Sequence, residues 1–454
     1  MRRLAYCSLL FALAAQADPL SDRAQRYLVD LIKLDTTNPP GNETRVANYL
    51  KKVADAEGIT AELLGAKPAR LNFVARLNGT GSDRALMMMA HSDVVPADPS
   101  QWSAPPFSAL IRDKFIYGRG AQDDKSLLAA ELAVLVELKR RGTPLRRPVI
   151  MLSEADEEAD SSGIQWLIRN AYSKIDAEFA INEGGFTFDA PTGPRVFQIQ
   201  TAEKIPSRVT LTARGTAGHG SLPRPDNPVV HLARAITRLA DADQPVRLNT
   251  TTRRYLRELA KLQDYRWVGG YAQRLEADSS AVAAANEIRA RDPELDAQLR
   301  ATISPTMLNA GMKINVIPNV ARAQVDIRRL PNETMEEIVA RVRRIISDPA
   351  VEVSHAPGQT MPSTEPSSLT TPLYLAMEKE FVSSSPKSAV IPYMSRGATD
   401  GAFLREKGMA VYGAPIFVRE DNESRAHGNN ERIGQQNFAD GVSLLWRIVL
   451  AAAQ

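Results

Sequence analysis

Two hydrophobic rhythms divide the chain. In the first half, short continuous apolar runs alternate with helical patterns. "LNFVARL" (71–77), "ALMMMA" (85–90), "PVIML" (148–152) and "EFAIN" (178–182) are strand-length runs, with helical periodicity at about 125–141 and 164–172. A strand that is apolar on successive residues is buried on both faces. The pattern therefore predicts an α/β catalytic layer with a largely parallel central sheet between helices. Ahead of it, an amphipathic helix ends at Asn38-Pro39-Pro40-Gly41, and a second follows from Glu43 to Gly58.

After about Pro206 the rhythm changes. "RVTLTARG" (208–215) alternates apolar and polar residues, as a half-exposed strand does, and "DNPVVHLARAITRLA" (226–240) carries an Asn227 cap with Pro228 in its first turn. "MKINVIP", "ARAQVDIRRLP", a helix over 334–346 and "VEVSH" complete a βαββαβ order, interrupted by a charged helical insertion at about 244–300. The predicted organisation is a catalytic domain in two parts, 18–205 and 358–454, interrupted by a smaller α+β lid over 206–357. Such an insertion leaves a cleft between the two bodies, which hinge motion can gate.

The first seventeen residues, "MRRLAYCSLLFALAAQA", have two arginines, an apolar stretch and a small-residue site at Ala15-Gln16-Ala17. They read as a secretory signal cleaved after Ala17, which predicts a periplasmic or secreted protein. The apolar stretch is too short to span a bilayer, so no membrane association is expected after cleavage. Cleavage removes Cys7, the single cysteine, and leaves no disulfide. It also leaves Lys+Arg nearly equal to Asp+Glu, a net charge of about +1, which gives no reason to expect nucleic acid as a partner.

Against this background "PVIMLSEADEEADSSG" (148–163) stands out, because Glu154, Asp156, Glu157, Glu158 and Asp160 follow directly on a buried strand. His91 likewise follows the run Ala85 to Ala90, and Glu183 follows "EFAIN". In open α/β sheets, ligands bind beyond the carboxyl ends of the strands. Three strands thus deliver polar side chains to one edge. "GRGAQDDK" adds Asp123 and Asp124 ahead of a helix, and "AHGNNERI" adds His427. Of the other histidines, His231 falls within an amphipathic helix and His355 at a strand end, so both read as structural.

At these residues the chain resembles the co-catalytic zinc exopeptidases and amidohydrolases, the family of acetylornithine deacetylase, succinyl-diaminopimelate desuccinylase, aminoacylase, glutamate carboxypeptidase and carboxypeptidase S. The matching segments are "TNPPGNE", "AHSDVVP" with "WSAPPF", "GRGAQDDK", "EADEEAD", "INEGG", "GTAGHGSLP", "KINVIP", "GATDGAF" and "AHGNNERI", in family order from residue 37 to 433. They lean toward the carboxypeptidase S branch.

The resemblance implies two Zn²⁺ per subunit bridged by Asp123, one held also by His91 and Glu183, the other by Glu158 and His427. Nitrogen and oxygen donors without thiolate suit zinc and tolerate Co²⁺ or Mn²⁺. It implies Glu157 as general base and acid, Asp93 as the carboxylate orienting His91, and His219 as donor to the oxyanion, often from a partner subunit. Asn315, Arg328, Gly397, Ala398 and Thr399 are implied substrate contacts, with Arg396 competing for the substrate carboxylate. The expected activity is hydrolysis of an amide beside a free carboxylate, in short peptides or, alternatively, N-acyl amino acids. A homodimer through the lid is expected. A metal- or peptide-binding protein without catalysis is the rival from another class, and the full ligand set with Glu157 argues against it.

Overall fold

The computed structural model describes residues 19–356, 361–420 and 424–454. The signal pattern at 1–17 lies outside them. Within them no helix is long and apolar enough to cross a membrane.

The main body is a mixed α/β layer around a nine-stranded sheet. At its centre, Val149–Glu154, Ala85–His91, Ala177–Asn182 and Ala410–Gly413 lie side by side and parallel. Every residue of Ala85–His91 is buried, as the unbroken apolar run requires. Antiparallel Asn72–Leu77 and Thr60–Leu64 extend one edge. Arg195–Glu203 and Ala389–Ser395, parallel to each other, extend the opposite edge. One face packs on helices Leu20–Ile32, Lys125–Arg140, Pro372–Ser384 and Gln435–Ala453, and the other on Ser162–Asn170 and Gly401–Glu406. The helix Lys125–Arg140 is buried from Lys125 to Leu138, so it forms the centre of its layer rather than a surface.

A separate four-stranded antiparallel sheet, in the order Thr302–Ala310, Val320–Arg329, Ile205–Arg214, Val351–His355, forms the smaller body. Helices Pro228–Asp241 and Met335–Ile346 cover one face. Asn227 caps the first by accepting from the Val229 N–H. One sequence expectation changes here. "MKINVIP" does not form the second long strand; Thr302–Ala310 does, pairing along Val320–Arg329 with a bulge at Pro305/Met307. Only Val316–Ile317 forms a strand in that segment, against Gly218–His219, while Met312 and Ile314 stand fully exposed. Alternation alone identified a longer strand there, but pairing reaches only Val316 and Ile317.

The helical segment from Thr250 to Asp296 lies within the lid in sequence, yet its apolar side packs elsewhere. Tyr255, Leu256, Leu259 and Ile288 bury against Val196, Ile391 and Tyr393 at the far edge of the large sheet. The buried Lys204 pins its exit, donating to the Ala297 and Arg300 carbonyls at 2.9 and 3.0 Å.

Candidate metal centre

The parallel strands bring His91 and the acidic turn after Glu154 to one edge. His91, 1 % exposed, directs Nε2 to within 2.8 Å of an Asp123 carboxylate oxygen, and its Nδ1 lies 3.0 Å from the Asp93 carbonyl oxygen. The other Asp123 oxygen lies 3.2 Å from His427 Nε2, which is 3.2 Å from Glu158. Two donor groups result: His91, Asp123 and Glu183; and Asp123, Glu158 and His427. The donor atoms within each group all lie within 4.8 Å of one another. Asp123 belongs to both.

The charge distribution suits cations. Burial pushes the Glu183 carboxyl up to about 8, and burial followed by the nearby Glu183 pushes Glu157 well above the usual carboxylate range. The hydrogen bond with Asp123 holds the His427 imidazole up at about 10. Crowded carboxylates of this kind are what a bound divalent ion relieves, and nitrogen and oxygen donors without sulfur fit zinc or similar ions.

Asp93 does more than face His91. Its carboxylate, fully buried, accepts the backbone N–H groups of Glu157 and Glu158, both at 3.1 Å, and the Asn38 amide at 2.7 Å. It therefore sets the turn on which Glu157 and Glu158 sit. Asn38 also donates to Asp156, which pairs with Arg70 at 2.9 Å. Asp156 thus anchors the turn, and Glu154 is buried behind it beside Asp400. Asp160 is exposed.

Glu431 went unremarked in the sequence, although it lies in "AHGNNERI". It accepts the backbone N–H groups of Gly120, Gln122 and Asp123 at 3.0, 2.7 and 3.1 Å, and Arg119 at 2.7 Å. A buried acid four residues past His427 was the only available signal. It clamps the turn bearing Asp123 to the segment bearing His427.

A cleft of about 680 Å³ opens on the Glu158 side of the centre. Its walls include Glu157, Glu158 and His427 from the large body, and Arg208, Arg328, Arg329 and His355 from the lid. Glu157 belongs to neither donor group. Arg328 sits 3.2 Å from Asp326. Ala398 lines the cleft, Thr399 is buried donating to Glu203 at 3.0 Å, and Gly397 is exposed. Besides Gly397 and Thr399, three implied contacts do not line this cleft. Arg396 pairs with Glu294 at 3.1 Å beside the helical segment. His219 and Asn315 stand exposed together on the lid, where the Asn315 carbonyl accepts the Gly220 N–H at 2.8 Å. Conversely, His355, expected to be structural, and Arg208, given no role, stand in the cleft wall.

The sheet, the shared carboxylate and the detached Glu157 fit a metal-dependent hydrolase. The chain belongs to Peptidase family M20/M25/M40, whose pattern it matches over residues 87–451. It is 30 % identical over 379 residues to the human (Homo sapiens) N-fatty-acyl-amino acid synthase/hydrolase PM20D1, covering 81 % of this chain and 75 % of that one. It is 26 % identical over 402 residues to a probable carboxypeptidase S-like 2 of Dictyostelium discoideum, covering 84 % and 76 %. In fold it is similar to the M20 family metallo-carboxypeptidase Sso-CP2 from Sulfolobus solfataricus, with a TM-score of 0.72, 23 % identity, and 95 % and 99 % of the two chains covered.

Proposed function

We propose that the protein is a di-zinc exopeptidase of carboxypeptidase or dipeptidase type, cleaving the amide bond next to a free carboxylate in short peptides. The observation that carries this reading is the pair of donor groups sharing Asp123, with Glu157 in the cleft beside them but in neither. Bound at these groups, two zinc ions would supply an acidified water and a polarised carbonyl. Glu157 takes the proton of the attacking water and passes it to the leaving amine. Asp93 holds His91 and the Glu157 turn in place. Arg328 or Arg208 receives the substrate carboxylate. Ala398 and Thr399 border the substrate.

His219 and Asn315 reach a site only across a subunit boundary in this reading. The exposed edge strand Thr302–Ala310, with Met307 and Leu308 each more than half exposed, offers a lid surface for a second copy. Export rests on the pattern at 1–17. A second reading, hydrolysis of N-acyl amino acids by the same centre, is favoured by the identity with the N-fatty-acyl-amino acid synthase/hydrolase.

The test is Glu157→Gln. The variant should retain about two zinc ions per chain and lose activity by roughly two to four orders of magnitude. Near-parental turnover would refute the role of Glu157. A panel of dipeptides beside N-acetyl and N-fatty-acyl amino acids separates the two readings, because turnover of the acyl set alone eliminates the peptidase.

A further inference from the structure

The helical segment beside the large sheet encloses a second cavity of about 270 Å³. Aromatic rings make a continuous wall. Phe188 meets Phe186 at 5.9 Å between centroids, Phe186 meets Tyr393 edge-on at 5.2 Å, and Tyr393 meets Tyr255 at 6.1 Å. Gln198 and Gln298, 2 % and 4 % exposed, also line it. The amides of both bond the Tyr255 hydroxyl, Gln198 at 3.3 Å. Both amide oxygens are buried without a hydrogen-bond partner among the described residues. Turning either amide over merely exchanges which of its ends lacks a partner.

This cavity adjoins, across a shared wall, another that reaches the metal centre. Phe186 and Arg419, the guanidinium 4.0 Å over the ring, also line a cavity of about 220 Å³ that reaches Asp123 and Glu183. The arginine-bearing cleft lies on the Glu158 and His427 side of Asp123, and this pair of cavities on the Glu183 side. A scissile amide at Asp123 would then direct its carboxylate end into the cleft and its acyl end toward Phe186.

We propose that the cavity under the helical segment is a subsite for the acyl-side end of the substrate, taking an aromatic ring that bears a hydrogen-bonding group, such as a phenol. Ring walls favour an aromatic occupant by edge and stacking contacts. An aliphatic chain fills the same space but leaves both glutamine amide oxygens unpaired, whereas a phenol hydroxyl donates to one of them. The proposal rests on the reading that amides are cleaved at the Asp123 centre.

The test compares kcat/KM for leucine carrying acetyl, decanoyl, phenylpropionyl and hydroxyphenylpropionyl groups, together with Ala-Leu and Tyr-Leu. It uses the zinc-loaded protein and its Tyr255→Phe and Gln298→Leu variants, with calorimetric binding of hydroxyphenylpropionate alongside. The hydroxyphenyl substrates should exceed their acetyl or alanyl counterparts by about tenfold or more, and each variant should cut that preference about fivefold. The preference is read as the ratio to acetyl-leucine or Ala-Leu turned over by the same variant. Equal rates across the acyl series, or a decanoyl preference that neither variant alters, would overturn the subsite. If no amide is cleaved, the functional reading falls and the calorimetry decides the subsite alone. Hydroxyphenylpropionate binding weakened by Tyr255→Phe upholds it, and no binding to the parent protein overturns it.

Discussion

Glu431→Gln tests whether one buried carboxylate holds the bridging ligand in place. Glu431 is fully buried, and its two oxygens accept four donors: Arg119 and Gly120 on one, Gln122 and Asp123 on the other. A carboxylate only accepts, but an amide presents an NH₂ at one end. Whichever way the glutamine turns, two donors on one side lose their acceptor. Hydrogen bonds to a charged group are each worth about 1.5–3 kcal/mol. The substitution also leaves Arg119, 2 % exposed, without its counter-charge, and a buried charge stripped of its partner costs about 3–5 kcal/mol. The two estimates describe one group, so they do not add, and the expected loss is about 3–5 kcal/mol. Urea denaturation of the zinc-loaded variant measures it, with metal content after dialysis reporting whether Asp123 is still set. If the orphaned arginine dominates, adding Arg119→Met should recover part of the stability while the backbone donors still lack an acceptor. Unfolding within about 1 kcal/mol of the parent, with both metals retained, would refute the reasoning.

Three further predictions test other parts of the argument. Asp93→Asn should lower metal affinity about 10–100-fold, measured by chelator competition, because an amide cannot accept both the Glu157 and Glu158 N–H groups and the negative charge 3.6 Å from His91 is lost; unchanged affinity would remove its positioning role. Both Glu131 oxygens are buried without hydrogen-bond partners among the described residues, and burial holds the carboxyl well above its usual 4.5. The folded protein therefore keeps a proton that the unfolded chain releases, so stability falls as pH rises above about 4.5 toward the folded value. Glu131→Gln should flatten that fall, and parallel urea midpoints from about pH 5 to 8 would count against it. Leu308→Lys, on the exposed lid edge, should shift a dimer to monomer in sedimentation with the fold intact; an unchanged mass would exclude that edge as the subunit contact.

Much of the site was legible because strand ends are legible. An unbroken apolar run such as Ala85 to Ala90 marks a strand buried on both faces, and the polar residue after it must emerge at the sheet's edge. That reasoning brought forward His91, Glu157, Glu158 and Glu183, and the structure gathers three of these around Asp123 with Glu157 beside them. The lid's second strand was misplaced because alternation records a half-buried strand only where a neighbour pairs with it. In "MKINVIP" Met312 to Asn315 stand in solvent, while Thr302–Ala310, interrupted by Pro305, pairs along its length.

The five carboxylates of the acidic turn divide between what the sequence determined and what the tertiary structure decided. Their type and their place after a buried strand are local properties, carried by residues within one or two turns of chain, so composition and periodicity express them. Their separate roles are not local. Glu154 lies beside Asp400, Asp156 bonds Asn38 and Arg70, Glu158 faces His427, Asp160 is exposed at the cleft, and Glu157 lines the cleft outside both donor groups. The Arg119 to Glu431 pair spans 312 residues, and the helical segment finds its apolar partner on the large sheet rather than on the lid around it in sequence. Contacts of this kind depend on strand register and layer packing across the whole chain. No local pattern records which distant side chain will arrive, and only the folded core sets that geometry.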